Sequence, residues 1–436
     1  MVRQHTKELW VDDLPIGSGL SVNLYDHAGV LLLRAGAPVT PELIAKLRKR
    51  GTYTIVCRPT ADEPAPEPAG AAGPDDRPET RATYQTDTSR RLDEIVDLAA
   101  RRGMNWTRRQ TPPAPRLVLS NLREELHAAR EHHDQAVTRY TDWAGSVIRG
   151  APPDVSGLSD LLLEFVRLIR RDRSIGALAS DLQAAPGDYL YQHGVNVAVI
   201  ALTVATHAGF HQKQVLDAGI GAMLHDIGML RVPYAIRTAA RKLLPEEWME
   251  IERHPIHTAD VLDHVPEITP VARLVSYQTH ERCDRSGYPR RRPAQYILPL
   301  ARIVAVADAY VALSSWRPYR VPMSPYKSVE RILYETQQGR FDPEAVRAFL
   351  NCMSLFPLGS YVRLSNDTVA RVFRSNGPLH TRPVVVPLDD NGEETSTEID
   401  LAHDDTVRIV DVLDAPLADA PSPLIASPTA AIVTSA

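Results

Sequence analysis

Residues 186–350 read as helix almost throughout, yet their most apolar stretches each carry an ionisable side chain. The stretch "GAMLHDIGML", residues 221–230, holds His225 and Asp226 side by side among apolar neighbours. Burying an imidazole and a carboxylate without partners costs several kcal/mol. The pattern recurs at His193 in "YQHGVNVA", His254 in "ERHPIH", His280 in "YQTHER" and Asp308 in "AVADAY". Successive members are spaced by roughly one helical hairpin. A helical bundle projects such side chains from several helices into one interior point. Imidazole and carboxylate together suit Fe, Mn, Zn or Ni, and a carboxylate can bridge two ions. Each residue alone is weak evidence. A lone His in an apolar helix is commonly a hydrogen-bonded core residue, and His225 with Asp226 could simply bond to each other. Asp308 is more telling, because "ARIVAVADAY" is nearly all apolar and its carboxylate needs a strong partner.

Composition narrows the class. The chain has 436 residues, more than one typical domain, so two or three domains are expected. A hydrophobic content of 44 % is ample for a packed core. The formal charge of −5 argues against a nucleic-acid polymer as partner, and an anionic ligand would need a local basic patch. Cys57, Cys283 and Cys352 are far apart with no CxxC pair, which suits a reducing cytoplasm. The start, "MVRQHTKELWVDDLP", lacks the apolar run of a signal peptide. No window approaches about 18 uninterrupted apolar residues, so no membrane span is expected.

The expected fold class is mainly α, a helical bundle flanked by a small N-terminal α+β domain and a small β-rich C-terminal domain. Residues 8–57 form the first unit. "SVNLYDHAGVLLLRAG" alternates like two strands around a turn at His27–Gly29. "TPELIAKLRKRG" is a short helix with Thr40 as N-cap, Pro41 first, Glu42 in the first turn and Gly51 as stop. "YTIVC" closes as a strand. Residues 58–87 are Pro/Ala/Asp/Glu-rich and read as a disordered linker. Residues 88–184 are helical with breaks at "QTPPAP" and "GAPPDVSG". Their "HH" at 132–133 sits among charged residues, and adjacent positions do not share a helix face, so a solvated surface is expected. The main helical domain is placed at 185–352. Residues 353–415 are strands with turns at Asn366–Asp367 and Asp390–Gly392, and 416–436 is a disordered tail.

Five motifs carry a family resemblance. "AMLHDIGMLRVP", "ERHPIHTADVL", "THERCDRSGYP", "RIVAVADAYVALSSWRPYR" and "FDPEAVRAF" follow one another in the order of the HD-GYP family, within the HD metal-dependent phosphohydrolase superfamily. The resemblance covers about residues 186–352. It implies an HD-type helical bundle holding two divalent ions, Fe or Mn before Zn or Ni, and hydrolysis of cyclic di-GMP to pGpG or GMP. It implies that His193, His225, Asp226 and Asp308 hold the first ion. Asp226 would bridge, and His254 and His280 would hold the second, with His225 and Asp226 at the catalytic centre. Two ions activate water and clamp phosphoryl oxygens. Glu281, Asp284, Ser286, Gly287, Tyr288 and Pro289 match the signature loop, which makes Asp284, Tyr288 and Pro289 substrate-binding candidates. Gly287 allows tight backbone geometry, Pro289 stiffens the turn, and Tyr288 can stack near a purine. Arg317 and Arg320 in "WRPYR" join them, since arginine suits phosphate and guanine edges. Arg290, Arg291 and Arg292 are either further phosphate contacts or a solvated basic loop.

The sequence departs from the family pattern at several points. Met229 stands where the family has a lysine near the substrate phosphate. One lost donor of that kind typically costs about 10²–10³-fold in rate. Arg231 is the nearest candidate to compensate. Thr279 stands where the family has the first His of HHE, which weakens the second metal site. Arg285 replaces a loop glycine. Tyr189 stands where members with three metals carry a glutamate, so no third ion is expected. Two readings stay open. One is an enzyme acting on cyclic di-GMP or a related cyclic dinucleotide. The other is a catalytically impaired regulator that binds metal or nucleotide and signals through a protein partner. A second copy of the chain is a further expected partner, and the N-terminal unit is the place expected to make such contacts.

Overall fold

The computed structural model describes residues 7–10, 14, 17, 22–25, 31–49, 54–59, 85–102, 119–150, 154–172, 174–176, 189–239, 241–315 and 322–413. The chain divides into two units, Met1–Arg77 and Pro78–Ala436. The first holds strands β1 (Lys7–Trp10), β2 (Val22–Tyr25) and β3 (Leu31–Leu33), helix α1 (Pro41–Lys49) and strand β4 (Thr54–Pro59). The strands form one antiparallel sheet in the order β1-β4-β2-β3. Thr40 Oγ1 accepts from Leu43 N at 3.2 Å, as its reading as N-cap requires. Leu24, Val39, Ile44 and Leu47 make a small core. The turn read at His27–Gly29 and the stop at Gly51 lie outside the described residues, as do 60–84 of the linker and the 416–436 tail.

The second unit is a helical body followed by a sheet. Its helices are α2 (Asp87–Arg102), α3 (Leu119–Ile148), α4 (Val155–Arg171), α5 (Tyr189–His207), α6 (Gln212–Leu224), α7 (Tyr234–Arg237) and α8 (Pro245–Glu252). They continue with α9 (His254–Asp263), α10 (Pro270–Gln278), α11 (Pro299–Ser314), α12 (Pro325–Gln337) and α13 (Pro343–Met353). Start signals in the sequence place several of them. Thr269, Ser324 and Asp342 cap α10, α12 and α13 through their side-chain oxygens, each followed by a proline. That proline has no N–H to leave unsatisfied in the first turn. α4 is amphipathic, and its buried row Leu158, Leu161, Leu162, Phe165 and Ile169 faces the body. The largest core joins residues of α3–α6 with residues of α9–α13, and α5 runs between α6 and α11. No described helix is long and apolar enough to cross a membrane.

The sheet comprises β5 (Tyr361–Leu364), β6 (Val369–Arg374), β7 (Val384–Pro387), β8 (Ile399–Asp400) and β9 (Ile409–Leu413), all antiparallel, in the order β8-β7-β6-β5-β9. Asp367, at φ 63°, sits in the β5–β6 turn read from Asn366–Asp367.

The expectation for the 132–133 pair is overturned. His133 is 1 % exposed, and its Nε2 lies 2.6 Å from Asn196 Oδ1 on α5. His132 Nε2 bonds Leu161 O at 3.0 Å, and its ring meets Phe165 edge-on at 4.5 Å. The charged residues around the pair are the outer rows of α3. The two histidines lie where α3 meets α4 and α5, so His133 is enclosed and His132 half-buried by neighbours that a single-helix pattern does not reveal.

Candidate metal centre

The HD doublet sits at a helix end. α6 stops at Leu224, His225 is its C-cap, and Asp226 at φ −99°, ψ 4° opens a 3₁₀ turn, Ile227–Arg231. Thr258 on α9 clamps this corner: its Oγ1 donates to His225 O at 2.9 Å and accepts from Gly228 N at 3.0 Å. Gly228 is required there, since a Cβ would lie 2.1 Å from His254 O. Thr258 was not read as a site residue, although it lies inside the "ERHPIHTADVL" stretch.

Six residues from five segments converge. His193 comes from α5, the doublet from the end of α6, His254 from the start of α9, His280 from beyond α10 and Asp308 from α11. Asp226 Oδ1 lies 3.3 Å from His225 Nε2, 3.1 Å from His254 Nε2 and 3.3 Å from His280 Nε2. Asp308 Oδ1 lies 3.1 Å from His193 Nε2 and 3.7 Å from His225 Nε2, and its Oδ2 lies 3.5 Å from His280 Nδ1. Ligand atoms of His193, His225 and Asp308 fall close enough to share one ion, as do those of His225, Asp226 and His280.

The outer nitrogens decide how the inner ones face. His225 Nδ1 donates to Ala222 O at 2.6 Å, and His254 Nδ1 donates to Ile251 O at 2.7 Å. Each ring then turns its Nε2 inward, and that atom offers a lone pair whenever the ring is neutral. Both Nε2 atoms are buried and make no aligned hydrogen bond, although carboxylate oxygens lie 3.1–3.7 Å away. Lone pairs facing carboxylates repel unless a cation stands between them. Backbone carbonyls fixing the outer nitrogen are the usual support of metal-ligating histidines. The donor set therefore fits divalent metal ions.

The electrostatics agree. Burial pushes the Asp226 carboxyl up, but His225, His254 and His280 outweigh it and hold it well below the carboxylate range. Asp308 is held low in the same way by His193, His225 and His280. Burial would lower His225, yet Asp226 and Asp308 drive it up to about 9. Burial, with His280 alongside, lowers His254.

The signature loop borders the centre. Gly287 permits a close fold-back, because a Cβ there would lie 2.4 Å from His280 O and from Arg282 N. Tyr288 N donates to His280 O at 3.1 Å, and its ring stacks on His280 with centroids 4.9 Å apart. The Tyr288–Pro289 peptide is cis. Asp284 accepts from Ser286 N at 2.9 Å and Ser286 Oγ at 2.6 Å, so its carboxylate shapes the loop. Arg285 has φ 66°, a left-handed conformation that favours glycine.

Several residues singled out in the sequence face elsewhere. Met229 is buried in an apolar cluster with Leu190, Val232 and Ile251. Thr279 Oγ1 donates to Val275 O on its own helix at 2.9 Å. Arg231 Nη1 lies 3.9 Å from Asp260 Oδ2. Arg290 and Arg292 are not a freely solvated loop, because both are engaged by Asp93 on α2, at 2.7 and 2.9 Å. The sequence reading missed Asp93 because its partners lie almost 200 residues away. Arg317 and Arg320 lie outside the described residues, and nothing is described of the Tyr189 side chain.

Comparison with known proteins bears on this geometry. The HD domain family model matches residues 168–345. The match spans the segments that supply all six converging residues. A cyclic di-GMP phosphodiesterase of Pseudomonas aeruginosa is 30 % identical over 267 residues, 61 % of this chain and 64 % of that protein. A 3'3'-cGAMP-specific phosphodiesterase of Vibrio cholerae is 32 % identical over 184 residues, 42 % of this chain and 39 % of that protein. A cyclic di-GMP phosphodiesterase response regulator of Xanthomonas campestris is 35 % identical over 153 residues, 35 % of this chain and 40 % of that protein. The matched part thus spans less than two thirds of each relative's length. The HD domain match and these phosphodiesterase relatives agree with the HD-GYP resemblance drawn from the five motifs.

Proposed function

We propose that this chain is a metal-dependent phosphodiesterase that opens cyclic di-GMP, or a related cyclic dinucleotide, to pGpG or GMP. The observation that carries the reading is the pair of buried Nε2 atoms, on His225 and His254, turned toward Asp226 and Asp308 with no aligned hydrogen bond. His193, His225, Asp226 and Asp308 would hold one ion. His254 and His280 would hold a second, with Asp226 shared. Iron or manganese suits this mixture of imidazole and carboxylate. When bound, two such ions supply Lewis-acid activation of water and neutralise charge on the phosphoryl oxygens. The chain's own groups do the rest. Asp226 and Asp308 keep their charge because imidazoles surround them. The Tyr288 ring, beside the centre, offers an aromatic face to a purine, and Pro289 follows it in the wall. Asp284 holds the loop that presents both. Arg317 and Arg320 are assigned to the substrate phosphates on their motif alone. The substrate class follows the relatives, which are cyclic di-GMP and 3'3'-cGAMP phosphodiesterases, and a cytoplasmic site of action is part of the proposal.

A second reading has its own observation. Met229 is packed into an apolar cluster and Thr279 is bonded to its own helix, so neither adds a cation or a ligand to the centre. That favours a regulator that binds metal or cyclic dinucleotide, turns it over poorly, and signals to a protein partner. Anaerobic incubation with cyclic di-GMP, with Fe²⁺ and Mn²⁺ in separate runs and Asp226→Asn as blank, separates the two. Metal-dependent pGpG or GMP that disappears in the variant supports the enzyme. Bound metal without product supports the regulator. Absence of bound metal refutes the enzyme and leaves only a nucleotide-binding regulator.

A further inference from the structure

One buried carboxylate lies outside the matched HD segment and outside the metal centre, yet it is tied to the loop beside that centre. Asp93, on α2, is 9 % exposed. Its Oδ2 is 2.7 Å from Arg290 Nε, and its Oδ1 is 2.9 Å from Arg292 Nη2. The Tyr277 hydroxyl, on α10 three residues before His280, donates to it at 3.3 Å. Arg292 Nη1 also reaches Asp97 Oδ1 at 2.6 Å, and Arg290 Nη2 reaches Ser89 Oγ at 3.1 Å. The backbone N–H groups of the same two arginines donate to the buried Glu281 carboxylate at 2.7 and 3.0 Å. Glu281 is the residue after His280, whose carbonyl accepts from Tyr288 N and whose ring carries the Tyr288 ring. One short chain of contacts therefore runs from α2 to a candidate ligand.

We infer that α2 is a latch for the metal centre and that Asp93 is its positioning residue. A guanidinium keeps its charge and binds a carboxylate in a fixed fork geometry. Asp93 thus bridges two arginines whose backbones pin Glu281, and it holds the end of α10 through Tyr277. Without it the two half-buried guanidinium groups lose their shared counter-charge, and the 281–296 loop is free to open. α2 precedes the HD domain in the chain, so displacement of α2 reaches His280 and Tyr288 without touching a ligand. The effect on metal rests on the function proposed above. The effect on the loop does not.

The test uses the full chain with Asp93→Ala and Asp93→Glu, and two readouts. Hydrogen exchange of the metal-free protein follows a peptide covering 281–296, with peptides from α5 and α11 as internal references. Absorption titration with Co²⁺ reads the centre. In Asp93→Ala the loop amides exchange about 10-fold faster while the references hold. Co²⁺ affinity falls about 10-fold, the low end for an outer support of a metal ligand, and Asp93→Glu recovers most of both. Should Asp93→Ala fail to fold, Asp93→Asn removes the charge at constant size and is read the same way. Wild-type loop exchange in the neutral variant overturns the latch. Faster exchange with unchanged Co²⁺ affinity overturns the positioning role. Failure of the unmutated protein to bind Co²⁺ overturns the proposed function and leaves the exchange test of the latch intact.

Discussion

Asp93 on one side, and Asp226 with Asp308 on the other, are carboxylates of the second unit stabilised in opposite ways. Asp93 lies between two arginines with direct ion pairs at 2.7 and 2.9 Å, so its charge is met by groups that never lose a proton. Asp226 and Asp308 lie among four imidazoles whose charge is conditional, and two of those rings turn unpaired nitrogens toward them. The first set is complete in the protein alone. The second is complete only with cations, whether protons or metal ions. A buried carboxylate thus marks a metal centre when its partners can give up their protons, and a structural joint when they cannot.

The sharpest attack on this contrast is Asp226→Asn. Metal content should fall to background and turnover of cyclic di-GMP by on the order of 10³-fold, since even one preorganised donor is worth 10²–10³. Metal analysis and product chromatography check it, and full metal occupancy in the variant would sink the coordination model.

pH separates the two sets next. In the metal-free protein His225 is raised from 6.5 to about 9. A raised pKa contributes stability that is fully present below pH 6.5 and is lost as pH rises through about 9. The loss should be about 3 kcal/mol, at roughly 1.4 kcal/mol per unit of pKa shift. Denaturant melts in chelator at pH 6.5 and 9 measure it. Metal affinity should rise over the same window, because the ion displaces that proton. A flat stability profile would mean the imidazoles behave like the arginines of the latch.

Met229→Lys probes the edge of the centre. Turnover should rise by about 10–10²-fold if the new ammonium reaches the phosphate. Stability should fall by about 1–3 kcal/mol, because Leu190, Val232 and Ile251 now surround that position. Loss of stability without gain in rate would favour the regulator. The smallest effect belongs to Asp97→Ala. Its side chain is 46 % exposed, so its pair with Arg292 is screened and its loss should cost at most about 1 kcal/mol in a thermal melt. A larger cost would show that Asp97 shares the buried character of Asp93.

Much of the candidate site was legible because its residues conflict with their local setting. A carboxylate in "ARIVAVADAY" or a doublet in "GAMLHDIGML" announces an interior partner whatever the fold. The helix starts were legible for a similar reason, since a capping oxygen followed by proline acts within one turn. The pair at 132–133 was misread because burial depends on what packs against a helix, and the charged residues beside it said nothing about α4 and α5.

The sequence by itself determined which residues demand partners, since the cost of burying charge is local, and it placed the helices that carry them. Only the tertiary structure decided who the partners are. It joined Asp93 to Arg290 and Arg292 across almost 200 residues of chain. It turned Thr279 and Met229 away from roles their positions suggested. It tied the outer nitrogens of His225 and His254 to carbonyls, leaving the inner ones for a cation. Those outcomes depend on packing directions between distant segments, and no spacing along one chain encodes them.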